Sequence, residues 1–195
     1  MTGFAEDNAP AYEPPMTKAA FLHWVQRQER KYEWKDGSIV QMANVTKAHA
    51  RTVSNFVTSL SNRLDVDVWS VYASDLDVET EGTVRYPDVI VEVFDADGRS
   101  RRSLKPIVLV EVLSVSTSST DFIDKLAEYL TFDSLEAYVV ASQDEPILWV
   151  WQRDATSRVF PAKPQQIDGR DQSLVLTTLK ITLPLAELYR GIATV

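Results

Sequence analysis

Pro87-Asp88-Val89-Ile90-Val91-Glu92-Val93 and, after a glycine-containing turn, Ile107-Val108-Leu109-Val110-Glu111-Val112-Leu113 decide how this chain is read. Both runs are rich in Val and Ile and too short for a globular helix, so they predict strands. Each carries an acid where a buried strand should have none. Ionised carboxylates are costly to bury unless they are paired or hold a metal, which makes Asp88 and Glu111 the leading site candidates. Strand parity groups Asp88, Ile90 and Glu92 on one face, and Ile107, Leu109, Glu111 and Leu113 on one face of the second strand. An antiparallel hairpin would set the start of the first strand beside the end of the second, where the two acids lie.

Around this pair, strands alternate with helices. Residues 1–15 hold three prolines and no apolar periodicity and read as a flexible leader, with one domain expected over 16–195. Thr17 would cap a helix over about 18–30 that turns Ala20, Phe21, Trp24 and Val25 to the core. Lys35-Asp36-Gly37 suits a tight turn into a strand at Ser38–Met42. Val53, Phe56, Val57, Leu60 and Leu64 give a helix over about 47–64 one apolar face. Strands are expected near 67–72, 75–79, 137–141 and 147–151, with a hairpin return near 158–160 and a strand at 173–176. A helix over about 121–132, capped by Thr120, and a short one near 185–189 complete the reading. The class is α/β, mixed α+β, a central mixed sheet flanked by helices.

With 195 residues, 45% of them hydrophobic, the chain can fill one substantial core. No stretch is apolar and long enough to span a bilayer, and no secretory signal is evident, so a cytoplasmic protein is expected. Lack of cysteine excludes disulfides, thiol chemistry and cysteine-held zinc. The net charge of −8 argues against broad attraction to nucleic acid. Arg99, Arg101, Arg102 and Lys105 form a local basic cluster, either a phosphate contact or a solvated turn.

Two adjacent carboxylates repel unless a counter-charge joins them. Mg²⁺, or Mn²⁺, would resolve that repulsion, with the Val112 carbonyl as a further oxygen ligand. Such an ion polarises a phosphoryl group and acidifies a water, the chemistry of phosphodiester hydrolysis. The bland alternative is a structural polar pair.

Tyr32-Glu33-Trp34-Lys35-Asp36-Gly37-Ser38-Ile39-Val40-Gln41-Met42, Pro87-Asp88-Val89-Ile90-Val91 and Val110-Glu111-Val112-Leu113-Ser114-Val115-Ser116-Thr117, followed by Asp121, Lys125 and Tyr129, resemble the bacterial "putative restriction endonuclease" family of the PD-(D/E)XK nuclease superfamily. The resemblance covers about 17–190. It implies a restriction-endonuclease-like core with an antiparallel extension, and metal binding by Asp88 and Glu111. The superfamily's lysine normally stands two positions after the second acid, where this chain has Leu113. The resemblance implies a relocated lysine, assigned to Lys125; the competing reading is a surface pair of Lys125 with Asp121 at i, i+4. Tyr129 would support that lysine or simply pack. Glu33 is similar to an additional acid of the group, there to hold a second ion or a water; otherwise it is a hydrated acid beside Lys35. His49 either faces the site or makes a helix-start hydrogen bond. Asp75 is the expected supporting acid, whereas Asp77 could face solvent, and Glu92 is expected to face solvent. Ser114–Thr120 would contact phosphate or form a loop and cap. Trp149 and Trp151 share strand parity and should cover an apolar face or a subunit contact.

The function expected is a Mg²⁺-dependent endodeoxyribonuclease with Asp88, Glu111, Lys125 and Glu33 catalytic and Asp88, Glu111, Val112 and Glu33 around the ion. DNA is the expected partner, and homodimerisation is compatible with the C-terminal aromatic strands. The alternatives are an inactive nuclease-fold module that binds DNA or protein, or a hydrolase of smaller phosphodiesters.

Overall fold

The computed structural model describes residues 15–193 apart from 43, 97 and 114–118, and the side chains of 119–122 are also outside the description. The expected leader therefore lies almost wholly outside the described residues. So do Asp97 of the glycine-containing turn expected at Asp95-Ala96-Asp97-Gly98, most of the Ser/Thr run, and the side chain of Asp121.

In chain order the elements are α1 (Lys18–Val25), β1 (Tyr32–Lys35), β2 (Ser38–Gln41), α2 (Lys47–Ser61), β3 (Trp69–Ala73), β4 (Asp77–Glu79), β5 (Thr83–Arg85) and β6 (Val89–Val93). There follow β7 (Arg102–Ser103), β8 (Pro106–Leu113), α3 (Ser119–Tyr129), β9 (Ala137–Ser142), β10 (Ile147–Gln152), β11 (Gln165–Asp168), β12 (Ser173–Leu176), β13 (Ile181–Pro184) and α4 (Leu185–Leu188).

A six-stranded sheet ordered β11-β10-β9-β8-β6-β3 forms the centre. Its β6–β8 pair is antiparallel and its β8–β9 pair parallel, so the sheet is mixed. The valine and isoleucine runs resolve by parity, as expected of strands buried on both faces. Val89, Val91, Val108, Val110 and Val112 enter one core with Phe56 and Leu60 of α2 and Leu185 and Leu188 of α4. Ile90 and Leu109 enter the opposite core with Tyr129 of α3, Tyr138 and Trp151. Phe56 and Leu60 have no exposed surface; each such burial contributes about 1.5–3 kcal/mol. Trp149 packs against the second core, and Trp151 stacks on Tyr138 at 5.8 Å.

A second sheet, ordered β2-β1-β5-β4-β7, carries a smaller core in which Phe21 of α1 packs with Met16, Trp34 and Val84. The Asp36-Gly37 turn closes its first hairpin with both residues at positive φ, 46° and 93°. Strands β12 and β13 form an antiparallel ribbon. The result is a mixed α/β fold with a central mixed sheet flanked by helices.

Several boundaries and faces differ from expectation. Helix α1 stops at Val25 and leaves Ala20 exposed. Thr120 lies inside α3 rather than capping it. No strand occupies 158–160, which are irregular; a turn at 155–157 precedes them, in which Asp154 Oδ1 accepts from the Thr156 and Ser157 amides, and β10 pairs with β11 instead. Strands β5, β7 and β13 are short pieces that the hydropathy pattern does not mark.

Candidate active site

Because Val89 pairs with Val110 in β6–β8, the residues just outside that pair, Asp88 and Glu111, meet across the strands. The Val112 amide donates to Asp88 Oδ2 at 2.8 Å, fixing the carboxylate against the second strand. His49, in the first turn of α2, brings Nε2 to 3.2 Å from the same oxygen. Its position follows from the helix start, where Thr46 Oγ1 accepts from the His49 amide at 3.1 Å. Both readings of His49 are thus realised: its backbone takes part in the cap and its ring faces the acid. Val112 gives its amide to Asp88, while its carbonyl faces His49.

Glu111 is held from α3. Tyr129, one turn beyond Lys125, donates its hydroxyl to Glu111 Oε1 at 2.9 Å, and Lys125 Nζ lies 3.4 Å from Oε2. The same ammonium is 3.4 Å from Glu33 Oε1. Charge-assisted contacts of this kind close to about 2.7–2.9 Å, so Lys125 is suspended between two carboxylates rather than locked to one. Leu113, where the superfamily's lysine would stand, packs toward the second core.

Glu33 is buried, which removes the reading as a hydrated acid beside Lys35. Its Oε2 accepts from Arg85 Nη1 at 2.8 Å, while Arg85 Nε and Nη2 grip Glu128 of α3 at 2.9 Å each. Lys35 instead pairs with Asp124 of α3. Arg85, from the short β5, was not marked by the sequence: nothing local distinguishes it until Glu33 and Glu128, from distant segments, close on it. These acids hold its guanidinium protonated, outweighing the cost of burial.

Burial raises the Glu111 carboxyl to about 7; the Lys125 ammonium works against this, and Asp88 and Glu33 add to it. Burial alone would lower His49, but the hydrogen bond its ring donates to Asp88, with Glu111 and the Val112 carbonyl nearby, raises it and favours imidazolium. Burial beside Glu111 pushes the Tyr129 phenol well above its usual range, so it remains a donor.

Among the described residues, no group of three or more His, Asp or Glu side chains is arranged to hold a metal ion. Asp88 and Glu111 stand as a pair, and Glu33 is tied to Arg85 and Lys125. Two hard carboxylates nonetheless suit Mg²⁺, which usually keeps several waters and takes only one or two protein carboxylates. Two side expectations reverse. Asp75, expected to support the site, is an exposed partner of Lys31, with 84% of its side chain accessible. Asp77, allowed to face solvent, is buried. Glu92 is half-buried and accepts from the Ser103 hydroxyl rather than facing solvent freely.

An uncharacterized protein of Synechocystis sp., slr1290, is 27% identical over 183 residues, spanning 92% of this chain and 94% of the relative. A second from that organism, sll1609, is 27% identical over 134 residues, 66% of this chain and 75% of the relative. The crystal structure of a putative nuclease belonging to DUF820 from Anabaena variabilis superposes with a TM-score of 0.75 at 16% identity, covering 92% of this chain and all of that one. At that identity it speaks for a shared fold alone. The family model Uma2, described as "Putative restriction endonuclease", matches residues 19–186, and the chain belongs to that family.

Proposed function

We propose that this chain hydrolyses DNA phosphodiester bonds with a divalent ion at Asp88 and Glu111. The observation that carries the reading is the reach of Lys125: its ammonium comes from α3 to 3.4 Å from Glu111 Oε2, supplying the cation that Leu113 cannot. When bound, Mg²⁺ or Mn²⁺ would polarise the phosphoryl oxygen and make water a better nucleophile. The Val112 amide and His49 keep the Asp88 carboxylate oriented, and Tyr129 does the same for Glu111. Lys125 steadies the attacking water and the charge developing on the phosphoryl oxygens. Glu33, whose buried Oε1 lies 3.4 Å from the Lys125 ammonium, takes the proton that water loses as its oxygen bonds to phosphorus, and the ester P–O bond breaks with the leaving oxygen protonated from solvent.

A second reading, a nuclease-fold module that binds DNA or protein without cutting, is favoured by a specific observation. Among the described residues no trio of acidic or imidazole ligands is assembled, and Asp88, Glu111 and Glu33 already have partners inside the fold. Fold membership is silent on turnover. The test is cleavage of single-stranded, duplex and supercoiled DNA by purified protein with Mg²⁺ or Mn²⁺, beside Asp88→Asn. Cutting that disappears in the variant supports hydrolysis. Mobility-shift binding without cutting in either protein selects the module, and turnover of a generic phosphodiester with intact DNA selects a smaller substrate.

A further inference from the structure

A second pocket opens between the end of α1, the turn after it, β4 and β7. Leu22 and Val25 supply an apolar wall, and the half-buried ring of Tyr86 another. Asp77, only 5% exposed, lies in this lining, and its Oδ1 is buried with no hydrogen-bond partner among the described residues. An orphaned buried acceptor costs stability unless something supplies a donor. The rim is predominantly basic, with Arg30, Lys31, Arg101 and Arg102 outnumbering Glu29 and Asp75 around the mouth. Lys31 is engaged by Asp75 and Arg102 by Glu79, each at 2.7 Å. Arg101 is exposed, and its carbonyl is fixed by the Asp77 amide at 3.1 Å.

A lone cation would meet a predominantly basic rim, and of the lining acids Asp75 is already paired with Lys31, so the lining does not suit a metal. What suits both layers is a planar group with donor hydrogens inside and an anion outside. We propose that this pocket is a subsite for an unpaired nucleobase bearing an exocyclic amino group, its amino hydrogens on the Asp77 carboxylate and its phosphate at Arg101. A carboxylate accepts readily from the cytosine amino group, while the thymine carbonyl at the same place presents acceptor to acceptor. Aromatic and apolar walls suit an unstacked base. Burial, with Glu79 close by, raises the Asp77 carboxyl to about 6, so it is mostly an acceptor at pH 7.5. Tyr86 follows Arg85 in the chain, and its phenol is pushed up to about 12 by burial and by the charges of Asp77, Glu79 and Glu33. The inference rests on the DNA reading above, and its test reads binding instead of cleavage.

The experiment measures fluorescence anisotropy of labelled oligo-dC and oligo-dT with the full chain at pH 7.5 in EDTA. The wild type should bind oligo-dC about tenfold tighter. Asp77→Asn should bring the two affinities together, and Arg101→Ala should weaken both alike. Gln26→Trp, which fills the pocket from an exposed wall position, covers the case in which changing Asp77 disturbs the sheet; it too should erase the preference. Competition by free dCMP would extend the subsite to mononucleotides, whereas its failure would assign it to bases within a strand. Equal affinity for the two oligonucleotides in the wild type, or a preference unchanged in both Asp77→Asn and Gln26→Trp, overturns the proposal. Base preference without cleavage would reject hydrolysis and keep the subsite; cleavage without preference would do the reverse.

Discussion

Glu111 is asked to be an anion in a place that resists one. Its carboxyl is raised to about 7 by burial, with Lys125 opposing and Asp88 and Glu33 reinforcing the shift, against 4.5 for an ordinary glutamate. The native chain therefore binds this proton more tightly than the unfolded chain, and this group's contribution to stability falls as pH rises from about 4.5 to about 7, then levels off. Glu111→Gln removes the penalty. Relative to wild type, the variant should gain on the order of 2 kcal/mol at pH 8, less than the full shift implies because Lys125 loses a partner, and little at pH 5. Urea unfolding at the two pH values measures this; equal differences at both would show that the charge is not penalised. The same variant should lose cleavage, a trade of function against stability expected at strained sites. Lys125→Met makes the complementary case. It should lower kcat by roughly 10²–10⁴-fold with DNA binding in mobility-shift assays little changed, and an unaltered kcat would remove Lys125 from the chemistry.

At the scale of elements, the start of α2 is where local structure turns into site geometry. Thr46 Oγ1 caps the His49 amide and donates to Gln143 Oε1 at 2.8 Å, so one hydroxyl joins the helix to the loop after β9. Thr46→Ala should cost about 1 kcal/mol, read as a lower urea midpoint at unchanged slope; a midpoint equal to wild type would show the cap to be dispensable. This helix was legible in advance because Val53, Phe56 and Leu60 repeat at helical spacing, and β6 and β8 because their runs are rich in Val and Ile and too short for a globular helix. Asp88 and Glu111 were legible for the same reason, as acids out of place. Strands β5 and β7, of three and two residues, are too short to show a period, and with β5 went Arg85, the residue that orients Glu33. The missing strand at 158–160 has a local cause: Asp154 caps a turn just before it and Arg158 takes a positive φ of 58°, which delays pairing until Gln165. Asp75 and Asp77, two residues apart, have the same parity, so the pattern could not separate them; only Asp77 lies within β4 and is buried, while Asp75 precedes that strand and pairs with Lys31 at the surface.

For the molecule as a whole, a net charge of −8 biases the protein toward cations before any nucleic acid arrives, although Lys125, Arg85 and His49 offset the acids at the site itself. A ligand that binds only the folded state raises stability by mass action, about 2.7 kcal/mol at one hundred times its Kd. In a chain of this size each kcal/mol moves the melting temperature by about 2–4 °C. Saturating Mg²⁺ or Mn²⁺ should thus raise the Tm of wild type by about 5–10 °C. Asp88→Asn should stay flat, because the pair that the β6–β8 register creates is then broken. Glu33→Gln separates the two possible ion sets: it should keep most of the shift if Asp88 and Glu111 suffice, since Glu33 is already bound to Arg85 and Lys125. Surface screening of the acidic chain by a divalent ion would appear equally in all three proteins, so the difference between wild type and Asp88→Asn is the informative quantity. A wild-type Tm that rises no more than that of Asp88→Asn would mean that the strand-borne acids serve the fold alone, and the binding module without turnover would then be the better account of the whole chain.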